Sequence, residues 1–363
     1  MASAPQRTSW QQKLQAAWLT RGVLAAALWP VSLVFSALVT VRVQLFRWGW
    51  LRATKAAVPV WVVGNLVVGG AGKTPTVLAL YKWLVQQGHK PGIVSRGYGG
   101  TVDDRAGGVQ EVLPDSSPAE VGDEPLLLRR RSQAPVFVGK SRIAAINALL
   151  AQYPQVNIVI SDDGLQHLRL KRDLQLIVFD GRGAGNGWLL PAGPLRQPLP
   201  RELPKRSVVL YNCATASTHL PGHIARAQLS GAVSWSAWQM GQPATLDTLT
   251  TLAAFSQQQP LLAVAGIAQP ERFFNMLRQS GLNITPLPLP DHHDYNELPW
   301  PSDTTDVIVT EKDAVKLNKA VHAHTRVWVV PLDLHWDQDM DDALLDALYR
   351  SKRSSQRTHS LLH

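Results

Sequence analysis

The 363-residue chain has one cysteine, Cys213, so it holds neither an intrachain disulfide framework nor a thiolate metal cluster. It has no acidic residue before Asp103, although residues 1–102 carry eleven basic ones. The remaining residues hold 25 basic and 27 acidic side chains, so the net charge of +9 is a local property of the N-terminal stretch. A uniformly basic nucleic-acid binder fits that distribution poorly. A guanine-specifying N-K-x-D is missing, which removes the argument for a GTPase and favours ATP. The helix-borne H-E-x-x-H of a hydrolytic zinc site is missing too. No internal repeat of 20–50 residues occurs. With 45% hydrophobic residues, the chain is not disordered.

What is present begins with twenty uncharged residues at 22–41, interrupted by Pro30. A helix of that length rises about 30 Å, enough for a hydrocarbon core. Arg21 precedes it, and Arg42, Arg47, Arg52 and Lys55 follow, with Trp10, Trp18, Trp29, Trp48 and Trp50 nearby. Trp and Arg at the ends of an apolar segment suit anchoring at the headgroups of an anionic membrane surface. The segment starts late for a cleaved signal peptide and lacks a small-x-small site before Arg42. A membrane anchor is therefore expected rather than a signal peptide or a buried core helix. It either spans or lies in the interface. The heavier basic charge after it keeps the body of the protein cytoplasmic if it spans.

Beyond this segment, apolar runs alternate with helical patterns. Strands are expected at 58–63, 91–95, 135–138, 157–161, 174–179 and 207–211, with helices at 76–87 and 140–151. That rhythm predicts an α/β fold with a mainly parallel sheet. A Pro-rich irregular stretch covers 190–204. Residues 213–260 read as linking strands, alternating around 233–238. A second, smaller α/β unit follows, with strands at 261–265, 307–309 and 327–330 and helices at 271–279 and about 339–349. The expected organisation is a membrane-associated region at 1–56, a P-loop domain at 57–212, a joining segment at 213–260, a second domain at 261–350 and a frayed polar tail at 351–363.

The strongest chemical signal is GNLVVGGAGKTP at 64–75, between an expected strand and an expected helix. Glycines at 69, 70 and 72 let backbone N–H groups converge on phosphate oxygens. Lys73 can reach the β- and γ-phosphates, and Thr74 can place its hydroxyl on Mg²⁺. The usual pattern wants glycine at 67, where this chain has Val67. The strand ending in Asp162 and Asp163 is the matching acidic element for the metal, with Asp180 as a competing candidate at the end of the next strand. A phosphate loop, a metal carboxylate, a second domain and a membrane anchor together point to a kinase whose acceptor is a lipid. Another P-loop phosphotransferase, or a nucleotide-binding regulator at the membrane, is the alternative.

The ordered motifs also resemble the tetraacyldisaccharide 4'-kinase family of lipid A biosynthesis. They are the loop at 64–75, SRGYGG at 95–100, GDEPLLL at 122–128, SDDGLQHLRLKRD at 161–173 and LLPAGPLRQP at 189–198, then GIAQPERFF at 266–274, DHHDY at 291–295 and TEKDAVKL at 310–317. The resemblance covers about residues 15–335. It implies transfer of the ATP γ-phosphoryl to the 4'-hydroxyl of a tetraacyl disaccharide 1-phosphate, with Mg²⁺, at the cytoplasmic side of the inner membrane. It implies Asp123 as the acid–base residue, assisted by a histidine of the DHH motif, His293 ahead of His292. Asp162, Asp163 and Glu124 would lie near Mg²⁺ or the phosphates, and Arg96 would contact phosphate. The family itself uses the displaced glycines, so Val67 is not a departure from it. The basic, proline-rich segment at 201–206 and the tail beyond about Ser351 fit it less well.

Overall fold

The computed structural model describes residues 10–98, 100–101, 108–291, 293–317 and 325–359. These fall into two compact units, each assembled from separated stretches of chain. The first comprises the described residues of 1–72, 163–225 and 336–363; the second comprises those of 73–162 and 226–335.

The first unit opens with α1 (Trp10–Ala17) and α2 (Val23–Arg47). At 25 residues, α2 is long and apolar enough to cross a membrane, and Pro30 lies inside it. Most of its surface is exposed, including Val34 and Leu38, but its inner face is tied down. The Ser32 hydroxyl donates to the Leu189 carbonyl (2.9 Å), and Trp29 packs on Trp188 at 6.3 Å. The turn before α2 is held by Arg21 Nε, which donates to the Asn186 carbonyl (3.0 Å).

Strand β1 (Val60–Gly64) pairs in parallel with β6 (Leu174–Phe179), β6 with β7 (Ser207–Tyr211), and β7 with the first residues of β8 (His223–Leu229). All five β1 residues are buried, as expected for a parallel strand covered on both faces. One cover is α11 (Gln338–His359), whose Ser351 hydroxyl accepts from the Trp61 indole (3.3 Å). Helix α11 runs through the position where a frayed tail was expected to begin. The buried Ser351 explains why: its hydroxyl also donates to the Ala347 carbonyl one turn back (2.9 Å), so this turn is packed rather than solvated.

The second unit starts with α3 (Lys73–Gln86) and a parallel set of strands, β5 (Ile158–Asp162), β2 (Pro91–Ser95) and β4 (Val136–Gly139), edged by antiparallel β3 (Val109–Glu111). Short α4 (Pro118–Val121) leads into α5 (Asp123–Ser132). Helix α6 (Arg142–Gln152) is capped by Ser141, which accepts from Ala144 N (3.3 Å). The other sheet of this unit has the order β11 (Ile284–Pro288), β10 (Leu261–Ala265), β12 (Asp306–Val309), β13 (Arg326–Val329), β9 (Val233–Ser234). Only β9 is antiparallel. Phe273, Phe274 and Leu277 of α9 (Pro270–Gln279) and Leu249 and Leu252 of α8 (Leu246–Ser256) build its core. Strand β14 (Leu332–Trp336) follows β13.

Two features of 213–260 differ from the expected linking strands. Helix α8 lies there, capped by Thr245, which accepts from Thr248 N (3.2 Å). The alternation at 233–238 is a strand for only two residues before α7 (Trp235–Gln239) begins. Ser234 caps that helix, which puts Trp235 and Trp238 on one buried face. Trp235 Nε1 donates to the Ala314 carbonyl at the end of α10 (Glu311–Ala314), at 3.0 Å. Trp238 Nε1 donates to Glu311 Oε1, also at 3.0 Å. The same Glu311 and Asp333 of β14 are bridged by Arg131 of α5, at 2.8 and 2.6 Å.

Candidate functional site

In the first unit, the glycine loop leaves β1 at Gly64, which packs so tightly that a Cβ there would lie 2.7 Å from Leu165 Cγ. Gly69 and Gly72 have φ of +98° and +86°, a region that side-chain-bearing residues rarely enter. A Cβ at Gly72 would also sit 2.1 Å from Asn212 Nδ2. This cradle therefore demands glycine on both backbone and space grounds. The loop is braced by the motif at 189–198: Val68 N donates to the Pro194 carbonyl (2.9 Å) and Arg196 N to the Leu66 carbonyl (2.7 Å).

That brace explains Val67. It forms an antiparallel bridge with Leu195 and is buried, so it holds the loop from behind rather than lining it. Val67→Gly, which would bring the loop closer to the common pattern, is expected to cost roughly 2–4 kcal/mol from lost burial and added backbone freedom. Denaturant melts of the two proteins check this; equal midpoints would contradict it.

Asp163 belongs to the same unit, at a positive φ of 46°, next to the end of β1 through the Gly164 N to Val63 O hydrogen bond (3.4 Å). Its carboxylate pairs with Arg196 at 3.0 Å. Asp180 is buried and accepts from Arg182 through both carboxylate oxygens, at 2.9 Å on Oδ1 from the backbone N and 2.7 Å on Oδ2 from Nη2. Asp180 therefore orients an arginine, as Asp163 does with Arg196.

In the second unit, Lys73 and Thr74 open α3, at the end where the helix dipole favours anions. Asp162 is buried at the end of β5. Its Oδ2 accepts from the Ser95 hydroxyl (3.1 Å), and its carbonyl from Arg142 Nη2 (3.1 Å). Arg96 follows Ser95 and is exposed. Asp123 is the first residue of α5, and its Oδ1 accepts from Glu124 N (2.9 Å). Gly122 before it has φ of +91°, and a Cβ there would meet the Tyr98 carbonyl at 2.8 Å.

Lys312 draws the acidic loops together. Its Nζ lies 3.2 Å from Glu124 Oε1 and 3.4 Å from Asp291 Oδ1. Burial by itself would push this ammonium down; the charges of Glu124, Asp123 and Asp291 overcome that and hold it well above the usual lysine range. His293, two residues beyond Asp291, packs edge-on against Tyr295 (4.9 Å between ring centres). Burial first, and the Asp313 carboxylate second, hold the Tyr295 phenol protonated. Asp313 in turn accepts from Gly266 N (3.1 Å) and Thr310 Oγ1 (2.6 Å). The structure thus groups Asp123 and Glu124 with Lys312 and Asp291. His292 and Gly99 lie outside the described residues.

Sequence reasoning assigned no role to Lys312, Arg182 or Asn212. The available signals were the charges in TEKDAVKL and the basic residue two positions after Asp180.

As oxygen donors, Thr74, Asp162 and Glu124 in the second unit and Asp163 in the first are of the chemistry that a hard cation such as Mg²⁺ takes. Among the described residues no three His, Cys, Asp or Glu side chains converge as a closed cage. An ion held by one or two carboxylates and by substrate phosphates needs no such cage.

Strand, glycine loop and helix on a mainly parallel α/β scaffold define a P-loop nucleotide-binding protein. The family model for tetraacyldisaccharide-1-P 4'-kinase (LpxK) matches residues 24–349, and the chain belongs to that family. The tetraacyldisaccharide 4'-kinase of Leptothrix cholodnii is 52% identical over 340 residues, 93% of this chain and 95% of that one. The Methylibium petroleiphilum enzyme of the same name is 50% identical over 335 residues, 91% of each. Among solved structures, LpxK from Aquifex aeolicus, determined in complex with ATP, shares the fold. Its TM-score is 0.72 at 24% identity, over 91% of this chain and 99% of that one.

Proposed function

We infer that this chain transfers the γ-phosphoryl group of ATP to the 4'-hydroxyl of tetraacyldisaccharide 1-phosphate, a step of lipid A biosynthesis. The observation that carries the reading is the family match across 24–349, spanning both the glycine loop and the Asp123–Lys312 cluster.

In this reading the backbone at Gly69, Gly70 and Gly72 cradles the phosphates, and Lys73 and Arg96 contact them. Asp123 accepts the proton of the acceptor hydroxyl, with His293 assisting. Thr74, Asp162, Asp163 and Glu124 would hold Mg²⁺, which neutralises charge on the phosphates when bound. Lys312 supports the acidic cluster, bridging Glu124 and Asp291.

The substrate's acyl chains call for a membrane surface, and α2 supplies a means of reaching one. Its exposed apolar side chains and the basic residues Arg42, Arg47, Arg52 and Lys55 suit the anionic cytoplasmic face of the inner membrane.

The test is incubation of the purified protein with radiolabelled ATP, Mg²⁺ and tetraacyldisaccharide 1-phosphate in detergent micelles. Label at the 4'-position is expected. ATP hydrolysis at full rate without the lipid would favour a different phosphotransferase or ATPase. Tight nucleotide binding with negligible turnover would favour a regulator.

A further inference from the structure

Two side chains, one at the start of the glycine loop and one outside it, hold successive carbonyls of the loop. Asn65 Nδ2 donates to the Gly69 carbonyl (3.1 Å), and Arg182 Nη2 donates to the Gly70 carbonyl (3.0 Å). We propose that Asn65 and the Asp180–Arg182 pair are positioning residues that fix the direction of the loop's N–H groups toward the nucleotide phosphates. The proposal rests on the kinase reading above and adds a device to it.

In a planar trans peptide, C=O and N–H point in opposite directions. Fastening the Gly69 carbonyl therefore sets the direction of Gly70 N–H. Fastening the Gly70 carbonyl sets that of Ala71 N–H. Glycine-rich backbone is otherwise free to rotate these peptide planes, and each rotation would replace a donor with a repelling carbonyl in front of an anion. A cradle whose donors are already aimed avoids that reorganisation when the phosphates arrive.

The holders are themselves held. Arg182 is only partly buried, yet its Nε and Nη2 both donate to Asp180 Oδ2, at 2.9 and 2.7 Å. Asp180 is 2% exposed. The guanidinium plane is thereby fixed, and Nη1 lies over Gly69, 3.2 Å from where a Cβ would be. Asn65 is fully buried, and its own carbonyl accepts from Gln166 Nε2 (3.1 Å). Neither residue has to touch the nucleotide to act.

The experiment measures ATP and AMP binding to the full-length protein in detergent without lipid acceptor, together with steady-state kinetics. For R182Q, ATP affinity is expected to fall about tenfold, the worth of one charge-assisted hydrogen bond. AMP affinity should stay within about twofold, and the KM for ATP should rise more than kcat falls. R182K is expected to stay close to R182Q, since an ammonium cannot both pair in parallel with Asp180 and reach Gly70. N65A should show the same selective loss of ATP over AMP, and thermal melts without nucleotide verify that each variant is folded. Wild-type ATP affinity in R182Q, full recovery in R182K, or equal losses of ATP and AMP would each overturn the proposal. A wild-type protein that binds no ATP would instead overturn the kinase reading itself.

Discussion

Asp123→Asn is expected to lower turnover by two orders of magnitude or more while leaving ATP binding near its wild-type level. A positioned general base contributes roughly 10²–10⁴-fold, and asparagine removes that function while keeping the shape. The surroundings should survive the change. Asp123 is nearly buried at the first position of α5, and the oxygen that accepts from Glu124 N exists in asparagine as well. The Gly122 backbone that delivers it, at φ +91° against the Tyr98 carbonyl, does not depend on the side chain. What asparagine loses is a negative charge opposite Lys312 and the capacity to take a proton. Lys312 keeps two other carboxylate partners, Glu124 and Asp291, so it is not left uncompensated. Single-turnover assays with saturating ATP separate the chemical step from binding. An unchanged rate would remove Asp123 as the base. A parallel loss of ATP affinity would show that it holds the nucleotide instead.

How much of this was legible in the sequence follows from the range of the interactions involved. Strands at 91–95, 174–179, 207–211 and 261–265 are where their apolar runs put them, because buried parallel strands write continuous hydrophobic segments. The glycine loop was legible because its strand, glycines and helix are contiguous. Val67 was not: its role is set by Leu195, distant in sequence, and no local pattern encodes that pairing. Alternation at 233–238 misled because Val233 and Trp235 fit a strand's period as well as they fit β9 and the start of α7. The Ser234 cap and the two indole hydrogen bonds decide the matter, and both indole acceptors lie on α10. Arg182 and Lys312 were visible only as charges. Their meaning depends on the Gly70 carbonyl and on Glu124, brought near by the tertiary fold.

Arg131→Leu is expected to destabilise the second unit by about 3 kcal/mol, at the low end for breaking a buried ion pair. Arg131 donates to Glu311 at 2.8 Å and to Asp333 at 2.6 Å, and is itself only 15% exposed. Burial would lower the affinity of its guanidinium for a proton, but Glu311 and then Asp333 outweigh that and raise it. Leucine leaves the buried Glu311 carboxylate with Trp238 Nε1 as its remaining hydrogen bond among the described residues. Asp333 suffers less, because it is a quarter exposed and retains Lys82 at 3.0 Å. The pH dependence has a definite sign. Burial by itself would raise the Asp333 carboxyl, but Lys82 and Arg131 outweigh it and hold it below its ordinary value. A depressed carboxylate contributes stability that is fully present above its unfolded pKa, about 3.9, and is lost as pH falls through the folded one. Wild type should therefore lose stability faster than the variant on acidification below about pH 4. Urea midpoints at neutral and acid pH test both parts, with an unchanged m-value showing that the same surface unfolds. A midpoint equal to wild type at neutral pH would mean that the pair's desolvation cancels its attraction. Identical acid slopes would mean that Arg131 does not set the Asp333 titration.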